Sequence, residues 1–234
     1  MHRLALLSFH GCPVARLGEK DTGGMNVYVL QLARELGRRG KTVDVFTRYH
    51  DPNDSQIVDL GQGARVVHLD AGPYESTKDT LFEYIPEFVN NLCDFRRLER
   101  VDYDLVHSHY WLSGIAGISL SRRWGIPHAS TFHTLAKTKL RARPGETVHE
   151  IRASVERRVI READAIVVST EEEKEEIVRL YRTSPRALRV IPAGVDHQLF
   201  QPLDKEHAKD VLGLHGRRVI LSVGRIEPLQ GVGL

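Results

Sequence analysis

The feature that most constrains the fold of this chain is its alternation of short, continuously apolar runs with stretches of helical periodicity. The runs are Leu4 to Phe9, Val43 to Phe46, Val66 to Leu69, Leu105 to His107, Ile126 to Phe132, Ala165 to Val168 and Leu188 to Ile191. A strand with one wet face alternates apolar and polar residues, whereas a strand apolar throughout is covered on both faces. Such runs separated by helices predict an α/β fold: a Rossmann-like parallel sheet with helices on both faces. Helix boundaries are legible too. The first helix covers Met25 to Arg38 and stops at Gly37 to Gly40; the helix after Trp111 stops at Gly125-Ile126-Pro127; a charged helix from about Glu146 closes at Arg161-Glu162-Ala163-Asp164. Thr170-Glu171-Glu172-Glu173 reads as a capping box whose acidic run is a solvated helix start.

At 234 residues, with 41% apolar and 27% charged side chains, the chain is ample for one core and marginal for two. Its 33 basic and 31 acidic residues are mixed along the sequence and leave a net charge of +2, which excludes the basic footprint of a nucleic-acid binder. Its two cysteines, Cys12 and Cys93, have neither metal-ligand spacing nor a disulfide framework, which suits a reducing compartment and gives a cytoplasmic expectation. Leu4-Ala5-Leu6-Leu7 is too short for a secretory core, and no run approaches the ~20 apolar residues of a membrane span.

Domain organisation follows from punctuation. Residues 1–195 read as one Rossmann-like domain. Residues 196–216, with Pro202, Gly213 and Gly216 among polar residues, read as a linker, and 217–234 as the truncated start of a second domain. Arg218 to Val223 reads as a strand feeding a turn at Gly224, yet a parallel unit needs roughly 30 residues to cover such a strand. That strand is expected to join the first sheet, swap into a partner chain or stay disordered.

In an open parallel sheet ligands lie beyond the carboxyl ends of the strands. Those ends read His10-Gly11, His107-Ser108-His109-Tyr110 and Phe132-His133-Thr134, so three strand tips carry imidazoles able to donate to sugar or phosphate oxygens at neutral pH. Each histidine taken singly also reads as an ordinary structural one. His107 and His109 share a face of an extended segment, but no neighbouring carboxylate or cysteine completes a shell, so no metal is expected. Gly23-Gly24, just before a helix, exposes backbone N–H groups where the helix dipole favours an anion. The spacing does not match a dinucleotide fingerprint, which counts against a dehydrogenase. Lys78 and Arg152 are candidate cations for an anionic ligand; Arg152 reads equally as a surface pair with Glu156, four residues on.

Taken jointly, Gly23-Gly24-Met25-Asn26-Val27-Tyr28-Val29, His107 to Gly114, Phe132-His133-Thr134-Leu135, Arg152 with Glu156, Val190 to Asp196 and Val223-Gly224-Arg225 resemble the N-terminal half of the family 4 retaining glycosyltransferases with the GT-B fold. The first motif and Ala71-Gly72-Pro73-Tyr74-Glu75 are most similar to the inositol-phosphate N-acetylglucosaminyltransferases of mycothiol synthesis, with the sucrose-phosphate synthases as near relatives. The resemblance implies that Gly23, Gly24 and Arg225 meet a nucleotide-sugar donor. It implies that His10, Asp21, Asn26, Lys78, Tyr110, Thr134 and Arg152 surround a sugar-phosphate or inositol-phosphate acceptor, and that His133 is catalytic, beside the transferred sugar. The family's lysine a few residues after Gly-Arg is replaced by Gln230, which cannot neutralise a departing diphosphate.

The expected function is therefore retaining transfer of a glycosyl group, from UDP-GlcNAc or UDP-glucose, to a phosphorylated polyol or sugar. Neither metal nor organic cofactor is expected, and this chain would be the acceptor-binding half, inactive alone. The alternative is a non-catalytic sugar-phosphate-binding module. A homodimer is left open.

Overall fold

Leu4 and Leu6 face one side of the first strand and Ala5 and Leu7 the other, and both sides are buried, in two separate apolar clusters. This strand, β1 (Arg3–Leu7), is therefore covered twice, as its unbroken apolar run requires. The computed structural model describes residues 2–16, 22–77, 80–142, 151–221 and 223. Among them, β1 is joined by β2 (Thr42–Arg48), β3 (Ile57–Gly61), β4 (Ala64–Leu69), β5 (Leu105–His109), β6 (His128–Thr131), β7 (Ala165–Val168) and β8 (Leu188–Val190) in one sheet of order β3-β4-β2-β1-β5-β6-β7-β8. Every neighbouring pair is parallel except β3 with β4. That edge hairpin adds an antiparallel strand to the expected parallel sheet: Gly61, Gln62 and Gly63 all take positive φ, and the tight turn returns the chain antiparallel.

The helices are α1 (Gly24–Arg38), α2 (Ile85–Glu99), α3 (Tyr110–Trp124), α4 (Ala136–Ala142), α5 (Arg152–Glu162), α6 (Glu171–Tyr181) and α7 (Lys205–Val211). Val29, Ala33 and Gly37, four residues apart, form the buried stripe that seats α1 on Leu4, Leu6, Val43 and Val45. Ile85, Phe88, Val89, Leu92 and Phe95 do the same for α2 on the opposite face. Two glycines let α3 lie unusually close to its neighbours. A Cβ on Gly114 would stand 2.9 Å from Val159 of α5, and one on Gly117 would collide with the ring of His128 on β6.

Strand order fixes where a ligand can enter. The chain runs outward from β1 to β2, then returns to the other side of β1 with β5, so the connections leaving β1 and β5 diverge over the carboxyl edge of the sheet. Thr170 caps α6 as expected, its Oγ1 accepting from the Glu173 N–H at 3.1 Å, but the Glu173 carboxylate reaches past the cap residue to the Ser169 N–H at 2.7 Å in place of closing the reciprocal box on Thr170. Residues 196–216, read as the linker, include α7, begun by Asp204, whose side chain accepts from the His207 N–H at 2.8 Å. Residues 218–221 form no strand and are exposed. A strand is held by its ladder, and no strand among the described residues pairs with this segment. No helix among the described residues is long and apolar enough to cross a membrane.

Candidate active site

Backbone strain marks the carboxyl edge. Five non-glycine residues among those described have positive φ. Gln62 sits in the β3–β4 turn, and Arg100 and Arg182 are left-handed C-caps of α2 and α6, where such angles are ordinary. The other two are Tyr110 (φ 74°), at the junction of β5 and α3, and His133 (φ 61°), two residues beyond β6. Around His133 the Thr134 N–H donates to the Phe132 carbonyl at 2.7 Å, closing a three-residue turn of the rare positive-φ kind. Strain of about 1–3 kcal/mol at a non-glycine residue persists only where its surroundings over-determine it, and it gathers at functional sites.

From these two residues a continuous chain of contacts runs across the edge. The His10 ring packs against Tyr110 in a tilted pair with centroids 4.3 Å apart, and the Arg152 guanidinium lies 4.7 Å from the centroid of the Tyr110 ring. Arg152 Nη2 donates to the Thr134 carbonyl at 2.8 Å and to its hydroxyl at 3.1 Å, while Nε donates to Glu156 Oε1 at 2.8 Å. The surface-pair reading of Arg152 and Glu156 is thus corrected: both are buried. Two more donors, the Ala136 N–H and the Tyr181 hydroxyl, complete the shell of Glu156. Next to Thr134, His133 Nε2 lies 3.0 Å from His109 Nδ1. His107 packs against His109 in a tilted pair with centroids 4.4 Å apart and meets the Thr131 hydroxyl at 2.9 Å through Nε2.

The twin-glycine turn reaches the same place from the other side. Asn26, buried in the first turn of α1, accepts from the Gly23 N–H at 3.1 Å and donates to the Cys12 carbonyl at 2.8 Å, tying the start of α1 to the loop after β1. Tyr28, two residues on, sets its ring edge-on to His109 and His133 at 5.8 and 5.2 Å. A Cβ built on Gly23 or Gly24 meets nothing within 4 Å among the described residues.

Burial governs the charge of the imidazoles. It pulls His133 down to about 4, and pulls His107 to about 3 with help from His128 and His133. Burial likewise holds His109 well below its ordinary value. At neutral pH these rings are uncharged donors and acceptors suited to hydroxyl groups. Burial also pushes the Glu156 carboxyl up, opposed by the Arg152 guanidinium. His109 Nε2 is buried with no hydrogen-bond partner among the described residues.

Of the residues singled out from the sequence, His10, Gly23, Gly24, Asn26, Tyr110, His133, Thr134 and Arg152 are brought to one edge. Asp21, Lys78 and Arg225, and Gln230 with them, lie outside the described residues. Sequence reasoning did not single out Tyr28, Tyr181 or Ser113, whose hydroxyl accepts from the Phe9 N–H at 3.0 Å and pins α3 to the end of β1. Tyr28 stands inside a quoted motif and could have been found there; Tyr181 carries no local signal, because it meets Glu156 only through the fold.

Residues 23–194 match the family model described as a glycosyl transferase 4-like domain, and the chain belongs to that family. Its fold is that of the N-terminal half of a GT-B glycosyltransferase. Among curated relatives, the D-inositol 3-phosphate glycosyltransferase of Saccharomonospora viridis is 41% identical over 97% of this chain and 54% of its own length. The protein of the same name from Corynebacterium diphtheriae is 39% identical over 98% and 55%. The chain therefore spans about half the length of these relatives. Among solved structures, a sucrose-phosphate synthase from Thermosynechococcus elongatus superposes with a TM-score of 0.81 at 32% identity, covering 92% of this chain and 53% of that one.

Proposed function

We propose that this chain is the acceptor-binding half of a retaining glycosyltransferase that moves a sugar from a nucleotide sugar, UDP-GlcNAc or UDP-glucose, to a phosphorylated polyol or sugar of the inositol-phosphate type. The observation that carries the reading is the buried Arg152, lying over the Tyr110 ring and fixed by Glu156 and by Thr134, the residue that follows the strained His133. A guanidinium held this way presents a pre-organised positive field to an acceptor phosphate. His10, Asn26 and Tyr110 frame the acceptor on the β1 side, and the family resemblance adds Asp21 and Lys78 to the same set.

His133 takes the catalytic place, its neutral imidazole addressing a hydroxyl of the transferred sugar without adding charge. Gly23 and Gly24 receive the donor closely, and Arg225 addresses its diphosphate. Catalysis in this reading is positioning and leaving-group stabilisation, with no metal or organic cofactor assigned to the transfer. Since the chain spans about half of its curated relatives, the 234-residue polypeptide alone is expected to turn over little or no nucleotide sugar.

Calorimetric titration with inositol phosphate and with hexose phosphates tests the acceptor assignment. Saturable heat that is lost in Thr134→Val and reduced in Arg152→Lys is the expected result. Flat traces with every phosphate would sink it.

A further inference from the structure

Cys12, His50 and His68 stand 38 and 18 residues apart in the sequence and meet in space. One ligating atom from each lies within 4.8 Å of the other two, and among the described residues this is the one such group of three. Cys12 Sγ is 3.2 Å from His68 Nε2. The other nitrogen of that ring, Nδ1, is 2.7 Å from the Ser55 carbonyl, which can only accept, so Nδ1 carries the proton and Nε2 turns its lone pair toward the sulfur. A ring fixed through its far nitrogen by a backbone carbonyl is how proteins orient a ligating histidine. His50 is half-buried and gives solvent access to the cluster, and the Asp54 carboxylate lies 2.7 Å from His50 Nδ1, adding negative charge at the rim.

We propose that Cys12, His50 and His68 bind a borderline-soft divalent cation of the Zn2+ type, with water in the fourth position. In a tetrahedral site with metal–ligand lengths of ~2.0–2.3 Å the donor atoms sit roughly 3.3–3.6 Å apart. Cys12 and His68 already have about that separation, and closing the third side asks for a shift of no more than ~1.5 Å at the half-exposed His50. Binding is a ligand exchange without redox change. The thiol proton of Cys12 leaves to solvent as the sulfur–metal bond forms, and the metal gives up water for each protein ligand.

The site joins the loop after β1 to the end of β2 and to β4, and the Cys12 carbonyl is the group that Asn26 holds. The cation would clamp the loop that leads into the twin-glycine turn. Its place is structural, and its existence does not depend on which acceptor the edge binds.

Titration of the metal-stripped chain with Co2+ tests this. The expected result is one equivalent bound, with a thiolate-to-cobalt charge-transfer band that Zn2+ abolishes, Mg2+ leaves alone and Cys12→Ser removes. His68→Gln and His50→Ala should each weaken binding by at least ~100-fold, more than loss of an outer-shell partner does. His50→Ala lies at the rim, so an unchanged circular dichroism spectrum separates lost binding from lost folding. Zn2+ should raise the Tm of the wild-type chain and not of Cys12→Ser. Absence of the band, or its survival in Cys12→Ser, overturns the site, and so does full affinity in a folded His50→Ala.

Discussion

Arg152 Nε and Glu156 Oε1 are 2.8 Å apart with side chains only 6% and 0% exposed, so an i,i+4 pair of the kind found on helix surfaces is here sealed inside the protein. In water such a pair contributes a few tenths of a kcal/mol. Buried, it becomes an obligation, because removing one partner strands the other's charge.

Arg152→Ala should therefore lower stability by about 3–5 kcal/mol, whereas Glu156→Gln, which keeps the shape and part of the hydrogen bonding, should cost less. Urea unfolding of the two variants beside wild type reads the difference. Equal small losses in both would show that the pair is solvated in solution.

Acid should unfold this protein through its imidazoles. Burial holds His107 at about 3 and His128 and His133 at about 4, while an unfolded histidine titrates near 6.5. Between pH 6.5 and 4 the unfolded chain binds more protons than the folded one, so stability is full above 6.5 and is lost as pH falls. Each ring contributes a slope of up to about 1.4 kcal/mol per pH unit. His128→Asn should flatten the urea-midpoint profile over that range; an unchanged slope would place the acid sensitivity elsewhere.

Asn26 satisfies two backbone groups at once, the Gly23 N–H and the Cys12 carbonyl. Asn26→Asp keeps the acceptor but sets a carboxylate against that carbonyl, and a loss of about 1–3 kcal/mol is expected. Thermal unfolding checks it, and a variant as stable as wild type would mean that the bridge contributes nothing.

Gly24→Ala separates fold from ligand. The added methyl meets nothing among the described residues, and at the head of α1 it should be neutral or stabilise by up to ~1 kcal/mol. Nucleotide-sugar affinity, measured in an intact two-domain transferase carrying this half, should nonetheless fall. Unaltered affinity would remove the twin-glycine turn from the donor site.

Much of this architecture was legible because unbroken apolar runs such as Ala5-Leu6-Leu7 admit one environment, a strand covered twice. The imidazole-bearing strand tips were legible for a related reason, since a parallel sheet puts its strand ends on one edge. The β3–β4 hairpin was missed although Gly61-Gln62-Gly63 spells a turn, because the half-exposed edge strand lacks a buried one's apolar density. Glu156 with Tyr181, and Cys12 with His50 and His68, could not be read from spacing. Their partners meet only after the chain has crossed the sheet.

With glycine at 114 and 117, α3 has no cushion between its axis and either Val159 or the His128 ring, and Tyr110 is its first residue. The helix works as a lever whose short arm is buried and whose tip is the aromatic platform under Arg152. Volume changes at Val159 or His128 would tilt that platform without touching any group at the crevice. Ligand preference can thus drift through mutations in the deep interior, while the visible rim stays the same.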